Sequence, residues 1–149
     1  MKQLIILLLF IPLVSFGQTV VGDFKIDNGE IIWQKIYDDS LNITSQDLVL
    51  KPIGLPFSTT IYLKQVSKAK LIVNHKDNRT RLTVRDIASI DNEVVTVYGV
   101  STNPNKPTYA HEIYARKGAF SKKFVKKDGK ILNDIILKEI NSLISNDDW

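Results

Sequence analysis

Residues 69–87, AKLIVNHKDNRTRLTVRDI, decide the fold. Leu71 and Val73 alternate with Lys70, Ile72 and Asn74. Further on, Leu82 and Val84 alternate with Arg79, Arg81, Thr83 and Arg85. A period of two belongs to strands that bury one face and wet the other. Between the two runs, Lys76-Asp77-Asn78 carries the chemistry of chain reversal, because Asp and Asn tolerate positive φ and bond their own backbone. The stretch is a β-hairpin with arginines on its wet side.

Upstream, Asn28-Gly29 marks a turn and Glu30 to Tyr37, EIIWQKIY, is rich in the β-branched and aromatic residues that favour strands. Asp38-Asp39-Ser40 closes that strand. Ile43 to Lys51 is expected to hold a short helix, with Thr44 or Ser45 as its cap and Asp47 near the positive end of the dipole. Pro52, Gly54 and Pro56 punctuate a loop, after which Thr59 to Val66 is expected to resume as a strand.

Downstream, Asp91-Asn92 signals a turn. Glu93 to Val100 follows as a strand with apolar residues on both parities, as expected of burial on two faces. Asn103 to Pro107 is a loop with two fixed φ angles. Tyr109 to Arg116 fits two patterns: Tyr109 and Ile113 share a helix face, while His111, Ile113 and Ala115 share a strand face. Leu132, Ile136, Ile140 and Leu143/Ile144 recur at helical spacing, and Ile135 and Leu137 widen their arc. Asp128 or Asn133 is placed to cap this helix, and Ser145 to Trp149 ends it. The order of elements predicts an α+β fold: a curved antiparallel sheet with a long C-terminal helix packed on one face.

The chain begins MKQLIILLLFIPLVSFGQ. A lysine, an apolar run from Leu4 to Val14, and small Ser15 and Gly17 are the layout of a secretory signal peptide cut after Gly17. That run is too short for the ~20 residues a membrane-spanning helix needs. No cysteine follows it, so neither a transmembrane nor a lipid anchor is expected after cleavage. Residues 1–17 are therefore read as a signal and 18–149 as a single α+β domain, exported to the periplasm or beyond. With no cysteine anywhere, disulfides, thiolate catalysis and cysteine-ligated metals are excluded.

The formal charge of +4 is regional. Arg116, Lys117, Lys122, Lys123, Lys126, Lys127 and Lys130 face only Asp128 within that segment, so the rest of the chain is net acidic. Such a run either attracts an anionic surface or forms a solvated face.

Taken together, the export signal ending SFGQ, the GEIIWQKIY strand, the KDNRTRLTVRDI hairpin and a final helix followed by Asp-Asp-Trp resemble a known group. These are the small exported proteins of Bacteroidetes-type bacteria that carry a DUF4468-like domain of TBP-like fold. The resemblance implies a helix-grip-like arrangement and an envelope location. It implies no activity, since that family has none established. Asn78 stands where the family pattern usually has Gly, and Thr80 where an aromatic is common.

Arg79, Arg81 and Arg85 share one strand face, where guanidinium groups would grip a carboxylate, phosphate or sulfate, or else pair with acids such as Asp86 or Glu93. Lys122, Lys123, Lys126 and Lys127 are the second candidate binding set. His75 and His111 lack the further ligands of a metal site. No nucleophile motif is present, and the pairs Asp38-Asp39 and Asp147-Asp148 look like a turn and a tail. No cofactor is expected. The basic run lacks the aromatic interleaving of a nucleic-acid groove. The expected function is non-catalytic binding of an envelope protein or anionic surface component through the open sheet face and the basic segment. The alternative is carriage of a small apolar ligand between helix and sheet, lined by aromatics such as Trp33, Tyr37, Phe57, Tyr62 and Tyr98.

Overall fold

The computed structural model describes residues 17–90, 96–97, 100–101 and 106–145. The leader through Phe16, most of the Glu93 to Val100 segment, and the Asp-Asp-Trp tail lie outside the described residues. Strands β1 (Val20–Val21), β2 (Phe24–Asp27), β3 (Glu30–Tyr37) and β4 (Gln46–Val49) precede a short helix, α1 (Ile61–Gln65). The long strands β5 (Val66–Lys76) and β6 (Arg79–Ile90) form the hairpin read from the sequence. A small ladder, β7 (Thr96–Val97) with β8 (Val100–Ser101), comes next. Then follow β9 (Pro107–Tyr109), α2 (Ala110–Tyr114), the ladder β10 (Ala115–Arg116) with β11 (Ala119–Phe120), and α3 (Gly129–Ser145).

The main sheet runs β1-β2-β3-β6-β5-β4, with β9 paired to the far end of β6. All its pairs are antiparallel. After β3 the chain crosses to the edge as β4 and returns through β5 and β6 to lie beside β3. That is the strand order of a Greek key. The hairpin turns as its residues predict, with Asp77 at φ 53° and Asn78 at φ 61°.

Alternation puts Trp33, Leu71, Leu82 and Val84 on one face of the sheet, all fully buried. The C-terminal helix covers that face. Leu132, Ile136 and Ile140 are sealed beneath it, and Trp33 Nε1 donates a 2.8 Å hydrogen bond to Asn133 Oδ1 across the seam. The helix is entered through a π-helical turn, Phe124–Asp128, which swings Phe124 into the sheet. Its ring meets Phe24 edge-on at 5.1 Å, stacks on Phe120 at 4.7 Å and touches Tyr114 at 5.0 Å. Rings packed at these separations add to the stabilisation that burial alone gives.

Several expectations change. Gln46–Val49 is a strand, not part of a helix. Leu48 and Leu50 are buried and alternate with exposed Asp47, Val49 and Lys51, and Leu48 pairs with Ala69, so the two-residue period overrides local capping signals. Ile61–Gln65 is a helical turn, not a strand, because Tyr62 and its neighbour Leu63 both face the core. Tyr109 to Arg116 takes both forms in sequence, with α2 first and β10 after. Asp128 does not cap the final helix. It sits inside the continuous helical backbone with its side chain buried.

That buried carboxylate holds the short helices in place. Asp128 Oδ2 accepts hydrogen bonds from Thr60 Oγ1 at 2.7 Å and Tyr114 OH at 2.8 Å, joining the start of α1 and the end of α2 to the long helix. Burial raises the Tyr114 hydroxyl above its ordinary range, and the Asp128 carboxylate raises it further. Burial raises Tyr62 in the same way, with Glu112 adding a smaller effect. Tyr62 stands edge-on to Tyr114 and donates to the Thr108 carbonyl at 3.1 Å. On β6, Thr80 is a second buried hub: its hydroxyl accepts from the Leu41 amide at 2.8 Å and donates to the Asp39 carbonyl at 2.9 Å.

Candidate anion-binding face

On the side of the sheet opposite the helix, where Ile32 and Thr83 are buried nearer its middle, the register places Ile36, Arg81 and Asn74 in one exposed row across β3, β6 and β5. The next row pairs Lys76 with Arg79. These five residues line a depression of about 310 Å³. Ile36, 58 % exposed, supplies its one large apolar side chain. The two arginines project here because the hairpin's alternation gives Leu82 and Val84 to the core and Arg79 and Arg81 to the opposite face, where both are exposed. Among the described residues, Lys76, Arg79 and Arg81 form no salt bridge, so their three charges stand together without a protein counter-ion.

Arg85 shares the parity of Arg79 and Arg81 but not their surroundings. Its guanidinium donates to a Glu30 carboxylate oxygen at 3.1 Å. Beyond it β6 bulges: Lys70 lies opposite Arg85 and Lys68 opposite Ala88, and Asp86 takes a left-handed φ of 52°. The bulge turns Asp86 towards Lys70, 3.7 Å away. Of the two acids expected beside the arginines, Asp86 pairs with a lysine instead and Glu93 lies outside the described residues; Arg85 takes Glu30, and among the described residues the depression keeps its charge. Thr83, between Arg81 and Arg85, is buried and accepts from Gln34 Nε2 at 3.0 Å. The candidate trio resolves into a free pair and a spent member.

Lys122, Lys123, Lys126 and Lys127 are exposed on the helical entry to α3, while Phe124 and Asp128 point inward. That helix covers the Trp33 face, so these lysines and the arginine face form two surfaces. Open sheet face and basic segment do not combine. His75 Nδ1 lies 3.1 Å from the Thr80 hydroxyl, and His111 stacks on Tyr109 at 5.6 Å. Among the described residues, no three His, Asp or Glu side chains converge as metal ligands. Nor is any helix there long and apolar enough to cross a membrane.

Ile36, Asn74 and Lys76 are the members that the arginine spacing alone did not flag. Their place follows from pairing register, which the two-residue turn at Asp77-Asn78 sets. No family model matches the chain, and no curated protein or solved structure is significantly similar to it.

Proposed function

We propose that the chain is an exported, non-catalytic binding domain of the bacterial envelope that holds an anionic partner on its open sheet face. The observation that carries this reading is the depression where Lys76, Arg79 and Arg81 stand together beside exposed Ile36 with no counter-ion among the described residues. Guanidinium forks suit carboxylate, phosphate or sulfate groups, and the apolar floor suits a partner that is not purely ionic. The leader-like start of the chain and its resemblance to small envelope proteins support the location. The test is a pull-down from envelope extract with Lys76→Ser, Arg79→Ser and Arg81→Ser combined. Capture is lost in that variant and kept in Arg85→Ser, whose guanidinium is already paired. Undiminished capture by the triple variant removes the reading.

A second reading, carriage of a small apolar ligand, draws on a depression of about 230 Å³ where the β1–β2 turn meets the helix, lined by Val21, Phe24 and Val125 together with polar Asp23, Lys130 and Asn133. Native mass spectrometry of protein from its own host would show added mass in that case. A clean apo mass opposes it.

A further inference from the structure

The chain between β4 and β5 makes an excursion whose base is pinned to the sheet. The Leu50 amide donates to the Ser67 carbonyl at 2.9 Å, so residues 51–66 leave and return at one point on the sheet margin. The excursion carries large apolar side chains that the fold does not use: Phe57 is 98 % exposed, and Ile53 and Ile61 are each 71 % exposed. Single exposed apolar residues are ordinary, but here three lie within nine positions, Ile53 and Phe57 on the loop and Ile61 at the start of α1.

Two further observations say what covers them. The first is charge: from Leu48 to Lys76 the sequence holds Lys51, Lys64, Lys68, Lys70 and Lys76 and no Asp or Glu. Exposed Lys51 and Lys64 flank the apolar tip. The second is the backbone. Pro52 and Pro56 have no N–H to satisfy, the Ile53 amide donates to the Lys51 carbonyl at 2.9 Å, and the Thr59 amide donates to the Pro56 carbonyl at 2.9 Å. Lys64 Nζ donates to the Phe57 carbonyl at 2.8 Å and lies 5.1 Å from the centre of the Phe57 ring. These bonds satisfy part of the loop backbone, and the headgroup depth of a bilayer, where water remains, accommodates the rest. Apolar side chains ringed by lysines match the layers of an anionic lipid surface, with acyl chains below and phosphates above.

We propose that the tip formed by Ile53, Phe57 and Ile61 inserts into the interface of an anionic lipid bilayer, with Lys51 and Lys64 at the phosphates. The contact is peripheral and uses a different part of the molecule from the arginine face. The chain has no cysteine, so Ser58→Cys in the full chain places a single environment-sensitive nitrobenzoxadiazole label on the tip. The label reports the loop alone, so adsorption through another segment, the apolar run Leu4 to Val14 included, does not register. Adding vesicles of phosphatidylcholine with phosphatidylglycerol blue-shifts and brightens the label, and pure phosphatidylcholine does so far more weakly. Ile53→Ser, Phe57→Ser and Ile61→Ser combined in the labelled chain weaken the response by at least about tenfold. Circular dichroism shows these exposed substitutions leaving the fold intact. A label unmoved by anionic vesicles overturns the proposal, as a loop that serves a protein partner would give. A response that survives the triple substitution overturns it equally.

Discussion

Replacing Ile136 by Ala tests the packing that defines the fold. Ile136 is fully buried in α3 between Leu132 and Ile140, under the face that presents Trp33 and Val84. The change removes three carbons, worth about 0.8 kcal/mol each in transfer free energy, or about 2.4 kcal/mol. The cavity left behind adds to this, because a core of Trp33 and phenylalanine rings does not collapse freely, and the total is about 3–4 kcal/mol. For a domain of this size each kcal/mol moves the melting temperature by roughly 3–4 °C, so a drop of roughly 10–15 °C is expected. Thermal and urea unfolding followed by circular dichroism measure it. Ile61→Ala is the matched control, the same deletion at an exposed site, and costs about 0.5 kcal/mol or less. Equal, small losses in both variants would show that the helix does not cover the sheet, and the fold described here would fail.

Thr80→Val should cost about 2–3 kcal/mol, because it orphans the Leu41 amide and the Asp39 carbonyl; Thr80→Ser should recover most of that loss in the same melts. Alkaline stability follows from Tyr62 and Tyr114, whose hydroxyls are held above the ordinary value of 10.0 in the fold. The unfolded chain then loses these protons first, so their contribution is intact below about pH 10 and declines as pH rises above it. Melts from neutral to alkaline pH should show that fall, and Tyr62→Phe should lessen it. At the β6 bulge, Asp86→Val should cost about 2 kcal/mol, since a β-branched residue resists a φ of 52°, whereas Asp86→Gly should be nearly neutral by urea denaturation.

The hairpin and the last helix were legible because each repeats one period long enough to outvote local noise: Leu71 to Val84 by twos, Leu132 to Ile140 by fours. Short segments misled for the opposite reason. Around Thr44 and Asp47, capping chemistry pointed to a helix, yet burial of Leu48 and Leu50 against β5 made a strand. Tyr62 and Leu63 read as β-formers, but a helical turn is what lets two adjacent residues both reach the core. At the candidate site, the arginines were visible and their division was not. Glu30 meets Arg85 only after β3 and β6 pair, and the bulge that hands Asp86 to Lys70 breaks an alternation that looks continuous in the sequence. Asp128 gave no sign of being an interior hub, since its partners Thr60 and Tyr114 come from two distant short helices.

Amide chemical-shift mapping during titration with pyrophosphate tests the central claim most directly, because it reads both sides of the sheet at once. The account predicts that the largest changes fall on Asn74, Lys76, Arg79 and Arg81, with Arg85 and the Lys122 to Lys127 turn little affected. Changes centred on Lys122 to Lys127, or spread evenly over the lysines, would contradict it.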